Sequence, residues 1–163
     1  MTDVSIARLK EVLDWDQDTG IFRWKVSTSN RVRVGAIAGH IIHGYRVISV
    51  DGKKYRAHHI VWLFSTGAWP IGEVDHIYGK RSDNRFGLLR DVTGAVNRQN
   101  VRIARSHNKS SGVLGVDRLP GGSFRARIQN CGKTIYLGVF STAEQAHNRY
   151  VTAKRELHEG CTL

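Results

Sequence analysis

The chain of 163 residues is short of cysteine, of acidic side chains and of long apolar runs, and each shortage excludes something. Its two cysteines, Cys131 and Cys161, stand far apart and outside any Cys-x-x-Cys spacing. Neither a disulfide framework nor a cysteine-based zinc site is therefore encoded. No His-x-x-x-His or mixed Cys/His set has zinc spacing either, so zinc is not expected. No stretch approaches the roughly 18 uninterrupted apolar residues of a spanning helix. The start, MTDVSIARLKEVLDWD, lacks the basic head and apolar core of an export leader, so the expected location is cytoplasmic. Repeats and low-complexity tracts are missing too, and a hydrophobic share of 40% excludes disorder as a reading of the whole chain.

The acidic shortage is the most informative. Twenty-five Lys and Arg face 14 Asp and Glu, a formal net charge of +11. Such an excess points to a polyanion, because each cation that neutralises a phosphate releases a condensed counterion and adds salt-sensitive affinity. Residues 1–100 carry +5 and the shorter stretch 101–163 carries +6, so the tail is the more basic per residue.

Pattern and punctuation divide the chain. Val4, Ile6, Leu9, Val12 and Leu13 follow helical spacing over 4–14, with Asp3 able to cap the start. GIFRWKV (20–26) alternates like a strand, and strands at 45–50 and 53–57 are joined by Asp51-Gly52, a pair suited to a tight hairpin. A helix over 60–65 is stopped by Gly67. A strand at 72–77, a polar loop at 78–85, a strand near 87–92 and a helix after Thr93 follow. Beyond the polar run 102–112, three short strands, GVLGVDRL, FRARIQN and KTIYLGVF, lead into a closing helix capped by Ser141 or Thr142.

Asp75-His76 closes a strand ahead of a basic loop, and Asn97 stands on the helix beyond. Carboxylate and amide oxygens suit a hard divalent ion, so Asp75 and Asn97 can hold a magnesium-type cation while His76 deprotonates an attacking water. Adjacent strand residues face opposite ways, so this arrangement requires a break at 75–76.

Around these residues run Ala57-His58-His59-Ile60-Val61-Trp62, Gly67-Ala68-Trp69-Pro70, Val74-Asp75-His76-Ile77, Gly79, Asp83-Asn84-Arg85, Leu89-Arg90, Val92-Thr93 and Asn97 to Asn100. Upstream stand Gly35-Ala36-Ile37-Ala38-Gly39, Gly44-Tyr45 and Lys54-Tyr55. Together, over roughly residues 8–100, they resemble the HNH homing endonucleases found in bacteriophages. That resemblance implies a ββα-metal fold clasping one divalent ion, Mg2+ or Mn2+, with Asp75 and Asn97 as metal ligands and His76 as general base. It implies duplex DNA as substrate and, for a phage-encoded chain, the host cytoplasm. His58 is expected to pack behind the site.

One position departs from the pattern. A histidine base needs its far nitrogen held by an acceptor, and the family places an Asn there, twelve residues after the His. Here that position is Leu88, which cannot hydrogen-bond. Asn84, four residues earlier, lies roughly 13 Å away along extended chain and is expected only to order the loop. A backbone carbonyl or a water remains open as the orienter. Two readings follow: an active nuclease, or a DNA-binding protein on an impaired nuclease scaffold.

In the tail, Ser110-Ser111-Gly112-Val113-Leu114-Gly115-Val116, Phe124-Arg125-Ala126-Arg127-Ile128, Gly132-Lys133, Tyr136-Leu137-Gly138-Val139-Phe140, and Ala143-Glu144-Gln145-Ala146 with Tyr150 resemble the DNA-binding domain of plant ethylene-response factors, the Apetala-type module. That likeness covers roughly 108–158, with Phe124 where a Trp is usual. It implies a three-stranded antiparallel sheet packed on one helix, with Arg118, Arg125, Arg127 and Lys133 meeting DNA.

The expected architecture is therefore α+β in two parts: a nuclease domain over 1–100 with its core at about 69–100, a linker at 101–107, and a DNA-binding domain over 108–163. The expected partner is double-stranded DNA, with no membrane and no small-molecule cofactor, and the assembly is a monomer or an oligomer that the sequence does not specify.

Overall fold

The computed structural model describes residues 4–104, 108 and 110–163. It is a mixed α/β chain with four helices and four small antiparallel sheets among the described residues, divided into two compact units, Met1–Thr93 and Gly94–Leu163. No helix among the described residues is long and apolar enough to cross a membrane.

The first unit opens with helix α1 (Ile6–Val12), capped by Ser5, whose hydroxyl accepts from the Arg8 amide at 3.2 Å. The proposed cap Asp3 lies outside the described residues. The helix is shorter than its spacing predicts. At Leu13 the backbone turns extended (φ −119°, ψ 133°) and enters β1 (Leu13–Asp16), which pairs with β2 (Ile21–Trp24). Leu13 serves the core from either geometry, so the apolar pattern alone does not place the switch. The turn between β1 and β2 is drawn tight by the Asp16 carboxylate, which accepts from the amides of Asp18 and Thr19, and by Gly20 at φ +70°.

A meander follows: β3 (His40–Ile42), β4 (Tyr45–Val50) and β5 (Lys53–Arg56). Its two turns, His43-Gly44 and Asp51-Gly52, place both central residues at positive φ, the twist that suits a two-residue hairpin. Helix α2 (Ala57–Thr66) ends at Gly67, whose left-handed φ of 80° lets its amide reach the Leu63 carbonyl. Hairpin β6 (Glu73–His76) and β7 (Leu89–Val92) completes the unit. One core, including Leu9, Val12, Phe22, Ile48, Ile60, Val74 and Leu89, binds α1, the sheets and α2 to that hairpin.

The second unit holds α3 (Gly94–Gln99), then β8 (Val116–Arg118), β9 (Phe124–Asn130) and β10 (Lys133–Phe140) in the order β10-β9-β8, all antiparallel. Helix α4 (Ala143–Leu157) covers one face of this sheet and is capped by Thr142, whose hydroxyl accepts from the Gln145 amide at 3.2 Å. Val116, Ala126, Ile128, Ala146, Tyr150 and Ala153 fill the space between sheet and helix. Gly115 (φ +76°) is required there, since a Cβ would stand 2.0 Å from the Tyr150 ring. Within this unit Val101 accepts from the buried Lys154 ammonium, and Arg102 donates to Thr162.

Candidate active site

Hairpin β6–β7 positions the chemistry. Its register is regular, with Asp75 opposite Arg90 and His76 opposite Leu89. The break expected at 75–76 is not there: β6 runs straight through Asp75 and ends at His76 itself. As alternation along a strand requires, the two side chains meet different neighbours. Asp75 takes both Arg90 contacts on one oxygen, Oδ2, from Nε at 3.0 Å and Nη2 at 2.8 Å. His76, buried at 5% exposure, packs with Tyr45 and His58.

The orienting acceptor that Leu88 cannot supply is Asn84. Its Oδ1 lies 3.0 Å from Nε2 of His76, and both side chains are buried. With an amide oxygen as partner, Nε2 carries the hydrogen and Nδ1 keeps its lone pair, the state a general base needs. The expectation that Asn84 stands out of reach fails for a physical reason. The 13 Å figure assumed extended chain between 84 and 88, whereas residues 86–88 form a 3₁₀ turn and residues 77–85 curl back on themselves. Gly79 donates to the His76 carbonyl at 2.8 Å, Asp83 donates to the Lys80 carbonyl at 3.0 Å, and Arg85 pairs with Asp83 at 2.7 Å. Leu88 contributes only its backbone, whose carbonyl accepts from Ile77 at 2.9 Å and closes the hairpin.

Asn84 also rests on the first hairpin. A Cβ added to Gly20 would lie 2.3 Å from the Asn84 carbonyl carbon, so the bare glycine backbone lets the two segments meet. The β1–β2 turn thus forms the floor of the loop that orients His76.

A ring cluster surrounds His76. His58 stands edge-on to His76 at 4.8 Å between centroids and to His59 at 4.6 Å, with Tyr45 5.3 Å from His58 and 5.9 Å from His76. His58 is 1% exposed, and neither ring nitrogen has a hydrogen-bond partner among the described residues. Burial, with the neighbouring His59, His76 and Arg56 adding to it, holds its pKa down at about 2, so it is a neutral imidazole. Burial also lowers the pKa of His76, against the Asn84 hydrogen bond and the fields of Asp75 and Asp83, which raise it; Arg81 lowers it further. His76 is accordingly unprotonated at neutral pH.

Asn97 stands half-buried on α3 in the second unit, its carbonyl accepting from Asn100 at 3.0 Å. In the C-terminal sheet, Arg125 and Arg127 share the face turned from α4, and both are engaged by one carboxylate, Asp117, at 3.1 and 2.7 Å. Arg118 and Lys133 have the other parity, opposite Phe124 and Asn130, and so do not extend that row. Three participants escaped sequence reasoning: Asn84 as orienter, Arg90 as partner of Asp75, and Asp117 between two arginines. Only the charge complement of the facing strands foretold the second and third.

Residues 55–99 match the HNH endonuclease family, a stretch that contains Asp75, His76, Asn84, Leu88 and Asn97. No curated protein and no solved structure matches the chain.

Proposed function

We propose that the chain is a metal-dependent DNA endonuclease of the ββα-metal type, with its base on hairpin β6–β7. A module of the ethylene-response-factor type over 108–163 delivers it to duplex DNA. The observation that carries this reading is the buried pair His76–Asn84, a tautomer-locked imidazole inside the stretch that matches HNH endonucleases. The rival reading, a binding protein on an impaired scaffold, arose from Leu88 alone, and Asn84 supplies the acceptor that Leu88 lacks.

The roles follow from the chemistry of the side chains. His76 takes a proton from the attacking water at Nδ1 while Asn84 holds Nε2–H and fixes the ring plane. Burial keeps His76 neutral and ready to accept that proton. Asp75 and Asn97 are assigned as oxygen donors for one divalent ion on their chemistry, a buried carboxylate and an amide that suit a hard cation, since the unbroken strand at 75–76 does not itself turn Asp75 toward His76. When bound, a Mg2+ or Mn2+ ion would polarise the phosphodiester and stabilise the leaving 3′ oxygen. Arg90 on Oδ2 fixes the carboxylate's direction. Arg125 and Arg127 face the DNA, with Arg118 and Lys133 at the sheet margins.

Supercoiled plasmid incubated with the protein and Mg2+ or Mn2+, beside His76→Ala, tests the assignment. Nicking by the parent that the variant lacks is the expected result; a parent no more active than His76→Ala leaves only the binding-protein reading. Asn97→Ala should raise the metal concentration needed for half-maximal nicking, and an unchanged requirement would remove Asn97 from the ligand set.

A further inference from the structure

Two cations beside the base are absorbed by nothing described so far. Arg56, at the junction of β5 and α2, has its guanidinium carbon 4.8 Å from the centre of the Tyr45 ring, and Arg81, from the loop after β6, has its own 4.9 Å from the same centre. Tyr45 in turn packs against His76 and His58. Both arginines are exposed, and no carboxylate pairs with either among the described residues.

Arg81 has a built seat. Its Nη1 donates to the His43 carbonyl at 3.1 Å. Its stem lies over Gly44, where a Cβ would come within 3.3 Å of the Arg81 Cδ. The β3–β4 turn therefore receives a side chain from a loop distant in sequence. Arg56 is aimed by register, since it pairs with Val47, two residues along β4 from Tyr45 and on the same face.

Holding two like charges on one ring without a counterion is a poor way to stabilise a fold. Coulomb repulsion opposes it, and exposed cation–π contacts return only about 0.5–1 kcal/mol each. The arrangement is sensible when an anion completes it. Guanidinium forks match phosphate oxygens, and the aromatic platform keeps them from collapsing onto acidic neighbours.

We propose that Arg56 and Arg81, stacked on Tyr45 beside His76, form a clamp for the phosphodiester backbone of DNA. The clamp rests on the nuclease reading for its purpose, since it holds the substrate strand against the base. It does not rest on that reading for its test, which uses binding alone.

The test uses the full chain carrying His76→Ala, in EDTA, binding a labelled duplex between about 50 and 200 mM salt. Arg56→Gln and Arg81→Gln should each lower the slope of log K against log salt by about 0.9, and each should weaken binding roughly eightfold at about 0.1 M salt. Arg56→Lys and Arg81→Lys should keep the parental slope. Tyr45→Ala, which retains both charges but removes their platform, should weaken binding, whereas Tyr45→Phe should not. Melting temperatures verify that each variant is folded. Folded Gln variants with parental slope and affinity, or Lys variants that fail as the Gln variants do, would overturn the clamp. A clamp intact by these measures in a chain that never nicks plasmid would instead count against the nuclease reading alone.

Discussion

Replacing Asn84 by leucine removes its hydrogen-bonding groups while keeping the count of side-chain heavy atoms, so it tests what the bond to His76 does. In the parent, Nε2–H of a 5% exposed ring donates to Oδ1 at 3.0 Å. In Asn84→Leu the donor has no acceptor in an environment that water scarcely reaches, a penalty of about 1–3 kcal/mol. The ring can relieve it by moving its proton to Nδ1 or by rotating, and either motion withdraws the lone pair from the attacking water. If that penalty falls on the reactive arrangement, the single-turnover nicking rate drops roughly 5- to 160-fold. Asn84→Asp keeps an acceptor and adds a negative charge, which raises the His76 pKa. Its rate should recover at alkaline pH, with the acid limb of the pH profile displaced upward from the parental limb, itself below the usual histidine value of about 6.5. Leu88→Asn should leave the rate near parental, because the far nitrogen is already held. The assay is plasmid nicking at saturating metal across pH, with melting temperatures for each variant. An Asn84→Leu protein as fast as the parent, or a large gain from Leu88→Asn, would refute the assignment of Asn84.

Gly20→Ala places a methyl at φ +70° and 2.3 Å from the Asn84 backbone, so it should destabilise the fold by about 1–3 kcal/mol and also slow nicking under conditions where the variant remains folded. Loss of stability without loss of rate would separate the turn from the site. His58 remains unprotonated in the folded chain down to about pH 2, whereas the unfolded chain protonates it near 6.5. Stability is therefore fully present above pH 6.5 and declines as pH falls below it, by up to about 1.4 kcal/mol per unit from this residue. His58→Phe should flatten the fall in melting temperature between pH 6.5 and 5, and parallel curves for parent and variant would contradict the burial argument. Asp117→Ala releases Arg125 and Arg127 from their shared carboxylate and should tighten DNA binding while steepening its salt dependence. Unchanged affinity would remove both arginines from the DNA surface.

Local signals carried a large share of the fold. Asp51-Gly52, Gly67 and Thr142 act as their chemistry predicts, and the strands at 45–50, 124–130 and 133–140 stand where alternation puts them. What escaped depends on partners distant in sequence. β1 is four residues long and continues a helical apolar pattern, and β3 is three residues long, so neither has a period of its own. At the site, residue types and spacing were enough to nominate Asp75 and His76. They could not nominate Asn84, because its reach depends on the curled loop and the 3₁₀ turn rather than on separation along the chain. The pairings Asp75–Arg90 and Asp117–Arg125 depend on strand register, which a list of motifs does not contain.

The contact between Gly20 and Asn84 bears on how portable the matched stretch is. The stretch that matches HNH endonucleases begins at Tyr55, yet the floor under its orienting amide is supplied from the β1–β2 turn. A fragment trimmed to residues 55–99 would retain Asp75, His76 and Asn84 and lose the surface against which Asn84 is held. Grafted into another scaffold, the same segment would bring Asp75, His76 and Asn84 but not the contact that seats Asn84, unless the host presented a bare backbone at that point. The borders of the matched stretch and those of the part that seats Asn84 differ here by the whole N-terminal hairpin.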